Sequence, residues 1–331
     1  MKKVLILFCG GTIIMRKSTG GSLIVQKKED AIDSLLKLEP RLKKIVKLDV
    51  SYVDNIDSTN IKPKHWDKIA DIIYKEYDNY DGFVIIQGTD TMAYTSSALS
   101  FVLQNLGKPV VLTGSQIPGD KLETDAKRNF VNAIKVATMD ISGVMVVFDW
   151  EIILGSRATK ISESKLDAFE TINWDLLGEI RVDIRLNIKD QKRQDKKLKL
   201  AKGFESKIMV VNLFPGMPDN FLDKMIDSGI KGLVLIGFGT GNVSYEYLTA
   251  IKKARRKKIP IAVDTQCLRG VTRMDTYDVG KKALEAGVIE AYDMTIESVT
   301  TKLMWALKRA PYEKIKEIMH TNYTDEINKQ S

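Results

Sequence analysis

The chain has 331 residues, 44% of them hydrophobic and 28% charged, a composition typical of a globular protein with room for two domains. Its two cysteines, Cys9 and Cys267, are too few for a disulfide framework or a cysteine-rich zinc site, and they fit a reducing compartment. The two histidines, His65 and His320, lie in no catalytic motif. This disfavours a Ser-His-Asp hydrolase and a multi-histidine metal enzyme.

The net charge of +8 comes largely from two basic runs, at 189–202 and 252–258. A nucleic-acid or acidic-membrane footprint is one interpretation. Neither run contains interleaved aromatic residues, so a solvated linker and the exposed face of one helix are favoured. The N-terminal apolar run Val4–Phe8 is too short for a signal peptide, and no later run reaches the ~20 apolar residues of a membrane span. We therefore expect a cytoplasmic protein with no nucleic-acid or membrane partner.

Apolar strand patterns alternate with helical patterns along most of the chain, which predicts an α/β protein. A larger N-terminal domain, 1–188, would hold a doubly wound parallel sheet, with short strands or hairpins over 150–187. A basic linker, 189–206, would lead to a smaller C-terminal α/β domain, 207–331. The predicted strands are Val4–Phe8, Ile45–Val53, Gly82–Ile86, Pro109–Leu112, Val144–Phe148, Ile208–Leu213, Gly232–Ile236 and Ile259–Val263, and the predicted helices lie near 29–38, 64–77, 91–105, 124–138, 218–228, 244–257, 277–286 and 297–309.

The first strand runs directly into Gly10-Gly11, where the backbone can approach a ligand closely, and then into Thr12. Thr12 is a candidate nucleophile or substrate contact, although a tight turn explains the pattern equally simply. The glycines do not form a phosphate loop, because GxxxxGK[ST] occurs nowhere in the chain. The small polar stretch that follows suits either a mobile lid or a hairpin turn, with Ser18, Thr19 and Ser22 as its hydroxyl residues.

Hydroxyl and carboxylate residues also follow two later strands. Thr89 and Asp90 come after the buried run at 84–86, where open α/β sheets bind ligands. A helix N-cap explains these two residues about as well. Asp57 and Ser58 follow another strand and could receive a substrate ammonium and carboxylate, or the segment could be a helix entry capped by Ser58 or Thr59.

Together, these motifs resemble those of the bacterial-type L-asparaginases, closest to the cytoplasmic type I branch. The resemblance covers nearly the whole chain, with the motifs in the expected order. The segments that carry it are CGGTII, DSTN, QGTDTMAYTSSALSF, KPVVLTGSQIP and LGSRATKISESKLDAF, followed in the C-terminal half by GTGN, TQCLRG and YDVGKKALEAGVI.

The resemblance implies two hydroxyl centres that together hydrolyse a side-chain amide. Thr12 would be the nucleophile, while Thr89, Asp90 and Lys160 would handle protons near the scissile bond. A threonine hydroxyl needs such a neighbour because it is a weak nucleophile by itself.

The resemblance also implies how the substrate is held. L-asparagine would bind without metal or cofactor at a site completed within an intimate homodimer, with a tetramer left open. The substrate-binding residues that it implies are Gly11, Asp57, Ser58, Thr59, Gly88 and, from a neighbouring subunit, Asn242.

The sequence departs from the family pattern near the site. Gln87 replaces the histidine of HGTDT, which we expect to tune activity, and Cys9 replaces a threonine or serine. The lid lacks the tyrosine that activates the first threonine, because no tyrosine precedes Tyr52. Ser18, Thr19 or Ser22 could substitute for it.

A second departure concerns the allosteric asparagine site of type I enzymes. Cys267 and Thr159 match residues of that site, but its arginine aligns with Ile236. The loss of that charge removes the partner of an effector carboxylate, so we expect hyperbolic kinetics.

Three functions fit this sequence. The first is an L-asparaginase with minor glutaminase activity. The second is the ammonia-supplying subunit of a tRNA-dependent amidotransferase, which would carry an added domain before its GGTI motif, whereas GGTI begins here at Gly10. The third is a non-catalytic amino-acid sensor, which would not need both hydroxyl centres.

Overall fold

A computed structural model describes residues 1–14, 16–17, 23–24, 28–187, 193 and 197–329. The predicted lid residues Ser18, Thr19 and Ser22 lie outside these described residues, as does much of the predicted linker 189–206. The chain divides into two compact units, Met1–Lys202 and Gly203–Ser331.

The N-terminal unit alternates strands and helices in its first two thirds and then continues in short strands, as the sequence predicts. In chain order its elements are β1 (Lys3–Phe8), β2 (Arg16–Lys17), β3 (Leu23–Ile24), α1 (Lys28–Lys37), β4 (Lys47–Tyr52), α2 (Pro63–Glu76), β5 (Gly82–Ile86), α3 (Met92–Val102), β6 (Leu103–Gln104), β7 (Pro109–Thr113), α4 (Ala126–Ala137), β8 (Gly143–Phe148), β9 (Glu151–Leu154), β10 (Ala158–Lys160), β11 (Phe169–Thr171), β12 (Gly178–Ile180), β13 (Ile184–Leu186) and β14 (Lys199–Leu200).

Eight of these strands form one mixed sheet in the order β13-β12-β9-β8-β7-β5-β1-β4. The five strands from β8 to β4 are parallel, which confirms the predicted doubly wound core. The sheet turns antiparallel at β9 because only Asp149 and Trp150 connect it to β8, and a two-residue link cannot reverse the chain for a parallel strand. Asp149 takes the positive φ of 51° that such a turn requires.

Strand order reverses at β1, which lies between β4 and β5. The chain leaves β1 toward one edge of the sheet and later crosses back to β5, so the connections after these two strands diverge. In open α/β sheets a crevice forms at the carboxyl ends of such a strand pair. The loops after β1 and β5 therefore border the place where a ligand would bind.

Helices cover both faces of this sheet because successive strand residues point to opposite sides. Val84 and Ile86 of β5 pack with Phe130 and Ile134 of α4 on one face. On the opposite face Phe83 stacks against Tyr77, with ring centroids 6.3 Å apart. Burial on both faces explains why β5 is apolar throughout rather than alternating.

The C-terminal unit is a smaller parallel α/β layer, as predicted. Its sheet has the order β15-β16-β17-β18, and one face is covered by α5, α6 and α7 while α8 and α9 cover the other. The elements are β15 (Ile208–Asn212), α5 (Asn220–Asp227), β16 (Gly232–Gly237), α6 (Leu248–Arg256), β17 (Ile261–Thr265), α7 (Asp278–Ala286), β18 (Ile289–Glu290), α8 (Ile296–Leu307) and α9 (Tyr312–His320). Within the described ranges, no helix has both the length and the apolar character needed to cross a bilayer.

Candidate active site

Thr12 follows β1 at a point where the backbone of two loops nearly touches. Gly10 and Gly11 have φ values of 105° and 106°, and a Cβ on Gly11 would lie 2.5 Å from the backbone nitrogen of Gly88. Only glycine permits both this conformation and this approach. Thr12 then begins a short 3₁₀ turn, Thr12–Ile14, and lines the same cleft as Gly88 and Thr89 of the loop that follows β5.

The loop after β5 carries Thr89 and Asp90 in a 3₁₀ turn, Thr89–Thr91, that leads into α3. The cap positions of this turn and of α3 are Gly88 and Thr91, and neither makes a side-chain capping hydrogen bond. Thr89 and Asp90 therefore do not serve the helix start, and their side chains are available for other partners.

The loop after β4 contacts the loop after β5. A Cβ on Gly88 would lie 2.8 Å from the Ser58 hydroxyl oxygen, and the Thr91 hydroxyl donates to the Ser58 carbonyl at 2.8 Å. The buried Gln87 side-chain amide donates to the Thr91 hydroxyl at 3.3 Å and so adds support to the contact between the two loops. This backbone contact fixes the position of Ser58 relative to Thr89.

Asp57 caps the short turn Ser58–Asn60. A helix entry was one of the two interpretations of this segment, but its cap was expected at Ser58 or Thr59, one or two residues later. Asp57 Oδ1 accepts hydrogen bonds from the Thr59 backbone N–H at 2.9 Å and the Thr59 hydroxyl at 2.8 Å. Within the described residues Oδ2 accepts none, so capping leaves one oxygen of this exposed carboxylate available to a ligand.

Lys160 brings the charge that joins Thr89 and Asp90 into one cluster. Its Nζ donates to the Thr89 hydroxyl oxygen at 2.9 Å and to Asp90 Oδ1 at 2.6 Å. It ends β10, whose pairing with β11 places Lys160 opposite Phe169, and Phe169 packs on Phe148 with centroids 5.0 Å apart. The hairpin is thus anchored to the core, and the Lys160 side chain is 15% exposed while that of Asp90 is 55% exposed.

Gln116, which was not among the predicted site residues, sets the direction of the Thr89 hydroxyl proton. The Gln116 side-chain amide donates to the Lys165 carbonyl at 3.1 Å, so its oxygen faces Thr89 and accepts the hydroxyl at 3.0 Å. Thr89 consequently presents a lone pair to Lys160, whose Nζ donates to it.

The position of Gln116 depends on a buried carboxylate. Asp125 accepts hydrogen bonds from the backbone N–H groups of Gln116 and Ile117 at 3.0 and 2.9 Å, and from the Asn129 side chain at 2.9 Å. These charge-assisted bonds hold the loop after β7 at the edge of the cleft.

The three loops, the hairpin and Gln116 line an open cleft of about 340 Å³. Among the described residues no group of three or more His, Cys, Asp or Glu side chains could hold a metal ion. Ten of the described residues line the cleft, and eight of these ten are predicted site residues, with Gln116 and Glu163 as additions: Gly11, Thr12, Asp57, Ser58, Gly88, Thr89, Asp90, Gln116, Lys160 and Glu163.

Two of the predicted substrate-binding residues are placed elsewhere. Thr59 bonds to Asp57 but does not line the cleft. Asn242 belongs to the C-terminal unit, where its backbone pairs with Phe238 and its side-chain N–H contacts the Thr240 hydroxyl at 3.4 Å. Its buried side-chain oxygen has no hydrogen-bond partner within the described residues.

Family models match both units. Residues 3–193 match the model described as Asparaginase, N-terminal, and residues 207–319 match Glutaminase/Asparaginase C-terminal domain. The chain belongs to the asparaginase family. This confirms the family resemblance seen in the sequence motifs.

Relatives of this asparaginase-family chain carry two kinds of name. It is 36% identical to L-asparaginase of Thermococcus kodakarensis, over 98% of this chain and 99% of the relative. It is 35% identical to a glutamyl-tRNA(Gln) amidotransferase subunit of Pyrococcus abyssi, over 99% of this chain and 77% of that relative. A solved structure titled the thermostable L-asparaginase from Thermococcus kodakarensis superposes with a TM-score of 0.91 at 35% identity, covering 98% of this chain and 99% of the other. The two names differ, so a name alone does not assign one activity to this chain.

The residues that the sequence matched to an allosteric site belong to both units. Ile236 lies inside β16 with 5% exposure and packs in the core of the C-terminal unit. Cys267 is exposed in that unit, whereas Thr159 is buried in the N-terminal unit. A core position such as Ile236 offers no charge to an effector carboxylate.

Proposed function

We propose that this asparaginase-family hydrolase converts L-asparagine and water to L-aspartate and ammonia through a threonine nucleophile. The observation that carries the proposal is the hydrogen-bonded cluster of Lys160, Thr89 and Asp90 in the same cleft as Thr12. Within the described residues no side chain hydrogen bonds to the Thr12 hydroxyl, so it is available to a substrate.

In the first step the Thr12 hydroxyl oxygen attacks the carbon of the substrate side-chain amide. Its proton is transferred to the amide nitrogen as the C–O bond forms, because a neutral threonine hydroxyl is a weak nucleophile. The negative charge that develops on the amide oxygen would be stabilised by backbone N–H groups near Gly11 and Thr89. Donors of this kind contribute about 3–4 kcal/mol to a transition state.

In the second step the C–N bond breaks, ammonia leaves with the added proton, and the acyl group remains on Thr12. Water then attacks this ester and releases L-aspartate. Lys160 and Thr89 form a continuous donor–acceptor path along which a proton can pass to the leaving group and later from the water. Asp90 balances the lysine charge throughout.

Other residues of the cleft would position the substrate. Asp57 Oδ2 and Asp90 would bind the α-ammonium, and Ser58 the α-carboxylate, so that the amide carbon reaches Thr12. Gly11 and Gly88 supply the close backbone approach, while Thr59 acts through Asp57.

We further propose a cytoplasmic homodimer or homotetramer in which Asn242 of a neighbouring subunit completes the site. The domain limits 1–188 and 207–331, with a linker at 189–206, stay a prediction.

Ammonia release tests this function directly. Purified protein is assayed with L-asparagine, L-glutamine and D-asparagine beside Thr12→Val, Thr89→Val and, as a matched control, Thr138→Val, a threonine outside the cleft whose hydroxyl donates to the Lys135 carbonyl. We expect L-asparagine turnover by the unaltered chain and by the control, and a loss of about 10³-fold or more in both cleft variants. Turnover that survives in Thr12→Val would refute the nucleophile assignment.

The name of the Pyrococcus abyssi relative supports one second candidate, an ammonia-supplying subunit of an amidotransferase acting on glutamyl-tRNA. The same cleft chemistry would serve it, with ammonia passed to a partner enzyme. The two functions separate experimentally, since a stand-alone asparaginase reaches full turnover by itself. A chain that releases ammonia only after a partner and glutamyl-tRNA are added would favour the second function.

A further inference from the structure

Glu163 places an additional carboxylate at the cleft. It lies in the hairpin three residues after Lys160 and lines the cleft together with Asp57, Asp90 and Lys160. None of the roles derived above uses it. Hydrogen bonds from its own backbone N–H and from Ser164, together with the Lys160 charge, lower the pKa of this exposed glutamate, so it is ionised at neutral pH.

The cleft consequently carries a surplus of negative charge. Its described lining residues include three carboxylates, of Asp57, Asp90 and Glu163, and one cation, Lys160, which leaves a net charge of −2. Lys160 is already paired with Asp90 at 2.6 Å. The charges of Asp57 and Glu163 therefore act on whatever occupies the cleft.

Substrate and product of the proposed reaction differ by one unit of charge. L-asparagine at neutral pH is a zwitterion of net charge zero, whereas L-aspartate has a second carboxylate and a net charge of −1. Both carry the same α-ammonium and α-carboxylate, so contacts with these groups cannot distinguish them. Only charged groups that lie near the rest of the ligand can distinguish L-asparagine from L-aspartate.

We propose that Glu163 is a specificity-determining residue that weakens binding of dicarboxylates, L-aspartate above all, and thereby limits inhibition by the product. This role rests on the proposed amidohydrolase function. Asp57 and Asp90 are required at their positions to hold the ammonium, but Glu163 contributes repulsion toward the second carboxylate without a part in the chemistry. A negative charge that repels an unwanted ligand is a recognised route to selectivity.

The expected size follows from the Coulomb interaction. Two unit charges roughly 7 Å apart in water change a binding constant by about threefold. The interaction is screened over ~8 Å at physiological salt and over ~3 Å at 1 M salt. The effect of Glu163 should therefore be modest, charge-dependent and lost at high ionic strength.

The test compares the full-length chain with Glu163→Gln, which removes the charge and preserves the shape. Glu123→Gln is the matched control, since Glu123 is exposed and does not line the cleft. L-aspartate affinity is measured by isothermal titration calorimetry, and L-asparagine KM by ammonia release, at about 0.05 M and 1 M NaCl. We expect the ratio of the L-aspartate Kd to the L-asparagine KM to fall about threefold in Glu163→Gln at low salt only, with the control unchanged.

Failure of this role is distinguishable from failure of the proposed function. An unchanged ratio in an active enzyme overturns the role of Glu163 and leaves the hydrolysis standing. If the chain releases no ammonia, the hydrolysis proposal fails and both amino acids are titrated calorimetrically instead. The proposed role of Glu163 then holds only if Glu163→Gln reduces the difference between the affinities for L-asparagine and L-aspartate. It is overturned if neither amino acid binds.

Discussion

Two lysine–carboxylate pairs, one in each unit, use the same chemical groups for different ends. Lys302 of α8 is fully buried and its three N–H bonds are all engaged, with Glu326 at 2.5 Å and with the carbonyls of Met319 and Thr321 at 2.8 and 2.7 Å. Lys160 also pairs with a carboxylate, but only two acceptors contact its ammonium within the described residues, Thr89 and Asp90.

The two pairs differ in whether all of their hydrogen-bond donors already have an acceptor. Glu326 is itself fully buried and accepts backbone N–H groups of Tyr323 and Thr324, so this pair closes the C-terminal segment onto α8 and has no donor left over. Lys160 keeps one N–H for a substrate or water, and its partner Asp90 stays half-exposed. A saturated pair serves stability, whereas an unsaturated pair at a cleft can move protons.

The largest expected effect is the difference in activity and stability between the two variants in which one of these lysines is replaced by methionine. Lys160→Met should lower kcat/KM for L-asparagine by about 10²–10⁴-fold, the usual contribution of a general acid–base group. The same change should alter the free energy of unfolding by less than about 1 kcal/mol, because the pair is partly exposed. Ammonia release and urea unfolding measure the two quantities.

Lys302→Met should show the opposite pattern. Leaving Glu326 buried without its partner should lower the free energy of unfolding by about 3–5 kcal/mol, while activity per folded molecule persists. The double variant Lys302→Met/Glu326→Leu is the control, and it should recover much of that loss because no buried charge remains. Equal stability losses at Lys160 and Lys302 would show that saturation does not distinguish the pairs.

A smaller effect is expected at Gln116, which keeps the cleft pair oriented. Gln116→Leu removes the acceptor of the Thr89 hydroxyl, so the proton is no longer directed away from Lys160. We expect kcat to fall about 10–100-fold through misalignment, with the KM for L-asparagine changed by less than about threefold. Gln116→Glu, which keeps an acceptor oxygen toward Thr89, should lose less. Equal losses in the two variants would argue for a merely structural role.

Asp264 offers a third case, a buried carboxyl with no lysine beside it. It accepts the Thr265 backbone N–H at 2.8 Å, and burial raises the pKa of this carboxyl from 3.8 to about 7. Between these values the folded chain holds a proton that the unfolded chain releases, so this group makes the free energy of unfolding fall as pH rises from about 4 to 7.

Asp264→Asn should remove that contribution, which amounts to about 1.4 kcal/mol per pH unit at most. Asparagine keeps an oxygen that can accept the Thr265 N–H, so the fold is preserved. Urea unfolding at pH 5 and pH 7 measures the change in slope against the unaltered chain. A variant with the same pH dependence as the unaltered chain would place the titrating group at another residue.

Much of the fold could be predicted because strands buried on both faces are continuous apolar runs. β5 matches its predicted bounds Gly82–Ile86, and β1, β7 and β8 match theirs within one residue. Helix α3, predicted near 91–105, ends at Val102 because Leu103 and Gln104 pair with β14, a contact between distant segments that local periodicity cannot reveal. Strand β18 and helix α9 were not predicted.

Those cleft residues that directly follow a strand could be predicted from the sequence. Thr12, Asp57 and Thr89 each follow a parallel strand, and the same rule would have identified Gln116, which comes soon after β7. Glu163 has no such signal, because a hairpin held by Phe169 against Phe148 brings it to the cleft. The sequence resemblance identified Lys160, whose position in isolation is that of an ordinary surface lysine.

The contact between Gly11 and Gly88 has a consequence for redesigning substrate range. Because the two loops touch through backbone, the separation of the Thr12 and Thr89 centres is set by the spacing of neighbouring strands, about 4.8 Å, and not by side-chain packing. Gln116 and Glu163, which also line the cleft, lie on loops outside that strand pair. The distance between the two hydroxyl centres is therefore fixed by the sheet, and a substitution at Glu163 can change which ligands bind without changing that distance.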